Sequence, residues 1–311
     1  MSQTGAARGL IAIDKMGGKV LFVDPATDAT INTLEGFQRT PHELLVSPET
    51  GLAYVPIYGD GVHGRNPNPG HTVCVIDLRG QRVVANIDTR PYIAPHTLRF
   101  GGDGLIYVTC ENSAVVAIID PARNKVVGAI ETGSTNGHRL VIARDGVRLY
   151  TENEEDATIS VIDLPARKLL GKFEAPQALA GIEISRDGGR LIAVSDETPA
   201  LFVVDARNGS LVETIALEGA PKAAQIARFS PDESVLAVTS NNGDTATLLS
   251  PDLRTQTTIK VGRQPMDMAF RGDDLYIGCQ GDGSVHVIDI STRRWKRAFS
   301  AGVGCECLGF F

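Results

Sequence analysis

Apolar and polar residues alternate in short runs along the whole chain, and turn residues separate the runs. Between His96 and Ile130 the runs cover 96–100, 105–110, 114–119 and 125–130, with Gly, Asn and Pro in the gaps. Alternation with a period of two indicates β-strands, because successive side chains of a strand point to opposite faces of its sheet. No run has a convincing helical period. The pattern therefore predicts an all-β protein.

A short mark, two apolar residues followed by Asp, closes the third strand of each repeated unit. It ends at Asp24, Asp77, Asp120, Asp163, Asp205 and Asp289, with a degraded copy before Asp252. The marks are mostly about 41 to 45 residues apart, which is the period of a propeller blade built from four strands. We predict a seven-bladed β-propeller with four-stranded antiparallel blades.

The two ends of the chain supply complementary parts of one blade. Residues of about 9–34 contain a second, third and fourth strand, whereas 304–311 contain only a first strand. Pairing these segments would close the ring and cover the exposed strand edges. The sequence thus predicts a single propeller domain over residues 1–311, with blade seven formed from both ends.

Composition and charge exclude some classes of function. The chain has 311 residues, 42% of them hydrophobic, a net charge of −7 and a pI near 5.4. Nucleic-acid binding needs a concentrated excess of Lys and Arg, so we expect no nucleic-acid partner. No apolar stretch approaches the roughly 20 residues that span a bilayer, and residues 1–8 lack the apolar region of a secretion signal. We therefore expect no membrane partner.

The cysteines favour a reducing compartment. There are five, an odd number scattered through predicted strands, which suits the reduced thiols of a cytoplasmic protein. Cys305 and Cys307 form a CxC motif that is open to two interpretations, a metal site or two small strand residues. The second is favoured, because alternation places both side chains on one face of a strand.

Three of the six histidines occupy the same position in successive blades. The first residues of the seven first strands are His42, His96, His138, Ala180, Gln225, Met266 and Glu306. Blade seven adjoins blade one, so Glu306 and the three histidines are consecutive around the ring. The first strand of a blade is innermost, and these side chains are expected to meet at the mouth of the central channel. Imidazoles with a carboxylate suit a divalent transition ion, so we predict a site for Zn, Mn or Fe.

A second ring of residues is expected around the first. The last residues of the second strands are Lys15, Tyr58, Glu111, Glu154, Asp196, Asn241 and Gln280. Glu111 and Glu154 belong to the His96 and His138 blades, where each could orient an imidazole or act as a general base. An equally good interpretation makes them turn residues.

Blade one carries an insertion at 58–70 that is rich in Gly, Asn and Pro. Insertions into a regular repeat often lie on the binding face, and Tyr58, His63 and Arg65 are candidate substrate contacts there. A tolerated surface insertion is the alternative.

The residues also carry a family resemblance. LIYVTCEN at 105–112 and LYTENE at 149–154 resemble the YVTN strand of the YVTN-repeat and lactonase-like seven-bladed propellers. The resemblance covers nearly the whole chain, and it implies lactone hydrolases, metal-dependent lyases or proteins that only bind partners. The lactonase pattern has Arg directly before the His, whereas Pro41, Pro95 and Gly137 stand there in this sequence. A phosphosugar lactone is therefore not the expected substrate.

Three functional hypotheses follow from the sequence. The first is a metal-dependent enzyme that acts on a small organic carbonyl or lactone-type substrate by hydrolysis, or by lyase or isomerase chemistry. The second is an iron-dependent oxygenase at the same residues, because three axial His with acids behind them are similar to the iron axis of the carotenoid-cleaving propeller oxygenases. The third is a non-catalytic interaction scaffold.

Overall fold

The computed structural model describes residues 9–37, 40–61 and 66–311, and it shows 29 strands arranged in seven sheets. Helical geometry in these residues is limited to three-residue 3-10 turns at Glu111–Ser113, Glu154–Asp156 and Asn241–Gly243. No helix of the described residues is long and apolar enough to cross a membrane. The predicted all-β, seven-bladed propeller is confirmed.

The strands follow one another around the ring in chain order. The first eight are β1 (Leu10–Asp14), β2 (Lys19–Asp24), β3 (Ala29–Leu34), β4 (Thr40–Pro41), β5 (Leu45–Ser47), β6 (Leu52–Gly59), β7 (Thr72–Asp77) and β8 (Arg82–Asp88). Blades two and three contain β9 (Pro95–Phe100), β10 (Ile106–Cys110), β11 (Val115–Asp120), β12 (Lys125–Glu131), β13 (Leu140–Ile142), β14 (Arg148–Asn153), β15 (Thr158–Asp163) and β16 (Lys168–Glu174).

The second half of the ring is equally regular. Blades four and five contain β17 (Leu179–Ile184), β18 (Arg190–Ser195), β19 (Ala200–Asp205), β20 (Leu211–Ala216), β21 (Ile226–Phe229), β22 (Leu236–Ser240), β23 (Thr245–Leu249) and β24 (Gln256–Lys260). The last five strands are β25 (Pro265–Arg271), β26 (Asp274–Cys279), β27 (Ser284–Asp289), β28 (Arg294–Ser300) and β29 (Cys305–Phe310).

Blade seven joins the two ends of the chain as predicted. Its sheet has the order β29-β1-β2-β3, and Leu10 lies opposite Phe310 in the antiparallel pair. Blade one differs from the others because its innermost strand is interrupted, so that β4 and β5 pair separately with β6. His42 lies in the interruption, where its backbone N–H donates to the carbonyl oxygen of Pro56 at 3.1 Å.

The core consists of apolar side chains packed between neighbouring blades. Tyr54 of blade one, for example, packs with Val108 and Ile119 of blade two in one buried cluster. Burial of this kind is the main stabilising term of the fold. The outermost strands are largely exposed, as in β20, whereas the inner strands are buried. The ring therefore holds the first residues of its inner strands in fixed positions.

Candidate metal centre

The three histidines predicted from the register lie together at the channel mouth. The ring of His96 is between the other two, with centroids 4.4 Å from His42 and 4.2 Å from His138. At most 6% of the surface of each residue is exposed. Tyr58 closes one side, with its ring 5.0 Å from His42 and 5.4 Å from His96.

Each imidazole has a polar side-chain atom close to its Nδ1. Nδ1 of His138 lies 2.7 Å from a carboxylate oxygen of Glu152, and Nδ1 of His96 lies 3.0 Å from the hydroxyl of Thr97. Nδ1 of His42 lies 3.0 Å from Oε1 of Glu306. A partner at one ring nitrogen fixes the orientation of the ring, as around metal-binding His.

Glu111 brings a carboxylate to the middle of the cluster. It follows β10 in a 3-10 turn, 1% of it is exposed, and its Oε1 lies 3.7 Å from Nε2 of His96. Its Oε2 accepts a hydrogen bond from the Tyr58 hydroxyl at 2.5 Å. Burial and the charge of Glu111 raise the pKa of Tyr58, so this phenol stays protonated and remains a donor.

Glu306 lies beside the cluster, but its carboxylate already has several partners. Lys15 approaches its Oε2 at 2.9 Å, Gln280 donates to the same oxygen, and His42 contacts Oε1. Burial alone would raise the pKa of Glu306, but His42 and Lys15 outweigh it and lower that pKa. Glu306 is therefore an ionised, fully paired carboxylate in this structure.

The electrostatic environments of two neighbouring histidines differ. Burial lowers the pKa of His96, and the nearby charges of His138 and His42 lower it further, so that the imidazole is neutral. Burial also lowers the pKa of His138, but Glu154 and Glu152 outweigh this effect and raise it to about 9. The carboxylates around His138 thus favour a positive charge at this end of the cluster.

Two groups of described residues at the mouth could hold a metal ion. One consists of His96, Glu111 and His138, and the other consists of His42, Glu43 and His96, with potential ligand atoms within 4.8 Å of one another. In the second group, Glu43 is already paired with Arg139 at 2.7 Å. The first group offers two imidazoles and a carboxylate, a set that suits iron, manganese or zinc once the ion displaces the additional proton of His138.

The predicted second ring surrounds the first. Lys15 contacts His42, Gln280 contacts Glu306, and Tyr58 contacts Glu111. Glu154 is half-buried in the turn after β14 and acts on His138 through its charge. His63 and Arg65, two further candidates, lie outside the described residues.

Glu152 is a functional candidate that the sequence analysis missed. It lies within β14, one residue before the strand ends, and is fully buried. Besides holding His138, its Oε1 accepts the backbone N–H of Arg139 at 3.0 Å, and its Oε2 accepts that of Glu154 at 2.9 Å. Thr109 and Thr239 hydrogen bond the corresponding backbone N–H groups in blades two and five. Two other blades have threonine at the position that Glu152 occupies. An acid at this position of the repeat was the signal in the sequence.

Buried ion pairs cross the channel next to the histidines. Arg139 of blade three reaches past blade two and lies 2.7 Å from Glu43 of blade one. Arg228 forms two hydrogen bonds with Asp267, at 3.1 and 3.0 Å. Such pairs offset the cost of burying each charge, so charged side chains of both signs lie buried next to the histidines.

The cysteines are free and buried. Cys307 donates to Asp267 at 3.3 Å, and the two residues form a third possible ligand group with Glu43. Both carboxylates of this group are paired with arginines, which repel a cation. Burial raises the pKa of Cys305 and Cys307, so both thiols stay protonated. The interpretation of this motif as strand residues fits β29.

Comparisons with known proteins support a propeller family but not the lactonase-like assignment. A family model described as the cytochrome D1 heme domain matches residues 100–306. No curated protein matches the chain. Among solved structures, a chain described as hydrazine synthase from Kuenenia stuttgartiensis is similar, with a TM-score of 0.73, 19% sequence identity, and coverage of 88% of this chain and 92% of that one. The solved structure supports the propeller fold, but neither comparison supports a YVTN-repeat or lactonase-like assignment.

Proposed function

Because the chain belongs to the cytochrome D1 heme domain family, we propose a metal-centred function at the channel mouth, and specifically a metal-dependent enzyme that uses a bare divalent ion. The ligands in this proposal are His96, His138 and Glu111. The observation that carries it is the convergence of these three side chains, whose potential ligand atoms lie within 4.8 Å of one another. Thr97 and Glu152 lie next to Nδ1 of the two histidines, and contacts of this kind fix the orientation of an imidazole.

The family makes heme the first cofactor to test against the described residues, and they do not fit it. The three imidazoles are packed against one another, with centroids 4.2 and 4.4 Å apart, and leave no space for a flat macrocycle between them. The surrounding acids Glu111, Glu152 and Glu306 would also repel the carboxylates of a heme. The family match begins at residue 100, so it includes neither His42 nor His96. The proposed chemistry therefore does not use heme.

Glu306 and His42 have supporting roles in this proposal, in place of the ligand roles expected from the sequence. Three groups already occupy the Glu306 carboxylate, and using it as a ligand would break those contacts. A site with three protein ligands also keeps open positions for water or substrate, which a four-ligand tetrahedral site lacks.

The proposed chemistry is hydrolysis of a lactone or ester, or a lyase or isomerase step next to a carbonyl. The ion would polarise the carbonyl oxygen or acidify a bound water. In hydrolysis, the water oxygen would bond to the carbonyl carbon, the ester C–O bond would break, and a base would take the water proton and pass it to the departing alcohol oxygen. Glu154 is our candidate base because it is half-buried beside His138. Tyr58 positions Glu111 through its hydrogen bond.

An iron-dependent oxygenase is the second candidate. Two His and one carboxylate with open positions form the ligand set typical of non-heme iron(II) oxygenases, and the His96, His138 and Glu111 group has this composition. Metal identity and oxygen dependence separate the two reactions. Activity with zinc under anaerobic conditions would remove the oxygenase.

The primary test is metal analysis of untagged protein purified without added metal. We expect about one Zn, Mn or Fe per chain in the wild type and none in the His96→Ala, His138→Ala double variant. The matched control is His286→Ala, because His286 accepts a hydrogen bond from Trp295 in an outer strand pair and does not belong to the cluster. An intense porphyrin absorption band would identify heme and contradict the proposal. Absence of metal after incubation with divalent ions would favour an interaction scaffold.

A further inference from the structure

Lys15 places a positive charge directly against one of the three histidines. It follows β1, 10% of its side chain is exposed, and its Nζ lies 3.3 Å from Nε2 of His42. The same ammonium group lies 2.9 Å from Oε2 of Glu306. Lys15 is therefore a buried cation located at the nitrogen that His42 would use to bind a metal.

The contact with Lys15 defines which nitrogen of His42 is an acceptor. An ammonium group only donates, so this contact uses the lone pair of Nε2. In a neutral imidazole the proton is then on Nδ1, which lies 3.0 Å from Oε1 of Glu306. A neutral imidazole has one such lone pair, and it cannot serve Lys15 and a metal ion together.

We propose that Lys15 is a built-in competitor of the metal, which keeps His42 out of the coordination sphere and so limits the ion to His96, His138 and Glu111. This inference rests on the proposed function. Lys15 would then determine which metal ion binds. With Lys15 present, the site has two imidazoles and a carboxylate; without Lys15, the site gains the imidazole of His42. Additional imidazole favours zinc and copper relative to manganese.

The remaining geometry is already suited to a third imidazole. The centroids of the His42 and His96 rings are 4.4 Å apart, and a carboxylate oxygen of Glu306 lies 3.0 Å from Nδ1 of His42, on the side of the ring away from Nε2. Gln280 also donates to Glu306, so this acid keeps a partner when Lys15 is removed. Lys15 is thus the contact that has to change before His42 can bind an ion.

A double-mutant cycle between Lys15 and His42 tests the inference with Co²⁺ as the probe. The proteins are the wild type, Lys15→Met, His42→Ala and the double variant, and Co²⁺ affinity is measured by visible absorption. Lys15→Gln is a second variant that keeps a hydrogen-bond donor in case Lys15→Met does not fold. Lys168→Met, at an exposed position at the start of β16, is the control.

We expect Lys15→Met to bind Co²⁺ at least tenfold more tightly than the wild type, because the competing charge is gone. His42→Ala should change affinity less than threefold in the wild type and at least tenfold in the Lys15→Met protein. Equal effects of His42→Ala in both backgrounds would overturn the inference while leaving the metal site intact. A failure of both the wild type and the Lys15 variants to bind Co²⁺ would overturn the proposed function as well.

Discussion

Glu152 and His138 form a buried carboxylate–imidazole pair, with Oε1 of the acid 2.7 Å from Nδ1 of the ring. The two residues are on the adjacent inner elements of blade three, and the same acid binds the backbone on both sides. The pair therefore links the orientation of one proposed metal ligand to the backbone of the blade. Loss of the Glu152 carboxylate should therefore weaken metal binding by His138.

Glu152→Gln is expected to lower Co²⁺ affinity by about 10- to 100-fold, because a neutral amide makes the imidazole a weaker ligand. The amide oxygen can still accept the backbone N–H of Arg139, so the fold should persist. Absorption titration measures the affinity, and thermal unfolding checks the fold. Glu174→Gln, at the exposed end of β16, is the control. An unchanged affinity in a folded Glu152→Gln protein would exclude His138 as an oriented ligand.

Tyr58→Phe should reduce stability without removing any proposed ligand. The substitution deletes the hydrogen bond from the phenol to the buried Glu111 carboxylate, and bonds to charged groups contribute about 1.5–3 kcal/mol. We expect a loss of that size in the free energy of unfolding, measured by urea denaturation of metal-free protein. Tyr92→Phe is a suitable control, because the Tyr92 ring packs at the edge of another cluster. A loss no larger than in the control would contradict this role of the phenol.

The Glu43 and Arg139 pair should show strong non-additivity. Glu43→Gln removes the carboxylate that faces the buried guanidinium of Arg139. Breaking a buried ion pair in this way lowers the free energy of unfolding by about 3–5 kcal/mol. The double variant Glu43→Gln, Arg139→Met removes both charges and should recover most of that loss in urea unfolding. Arg207→Met breaks an exposed pair with Asp205 and should cost less than about 1 kcal/mol. Additive losses in the double variant would exclude coupling across the channel.

Turn aspartates should make the fold sensitive to acid. Asp289 accepts the backbone N–H of Thr292 at 2.8 Å and the hydroxyl of Ser291 at 2.7 Å, and these bonds lower its pKa to about 2. A folded-state pKa below the unfolded value of about 3.9 adds stability above pH 4, which is lost as the pH falls towards 2. The urea midpoint should therefore fall less between pH 6 and 2.5 in Asp289→Asn than in the wild type. Equal declines would contradict this linkage.

The repeat in the sequence was enough to predict the propeller fold and the close approach of three histidine side chains. The register of the closing Asp marks fixes which residue begins each inner strand, and a closed ring then places His42, His96 and His138 side by side. This inference needs only strand geometry and period. It does not distinguish propeller families, because the marks are turn residues that many blades need.

The partners of the side chains could not be predicted in the same way. Glu306 was expected to be a ligand, but Lys15 and Gln280, which are far from it in sequence, take up its carboxylate. Glu154 was predicted as an acid next to His138, and its charge does act on this imidazole. The sequence did not reveal that Glu152, within β14, lies 2.7 Å from Nδ1 of the same ring. Such choices depend on side-chain distances between blades, which a repeat pattern does not contain.

The ion pairs next to the histidines also tie the ring together. Arg139 and Glu43 link blades one and three, and Arg228 and Asp267 link blades five and six. Because blade two lies between blades one and three, the first pair forms only when all three blades are in place. Opening of the ring at this point therefore has to break a buried ion pair as well as the apolar contacts between blades.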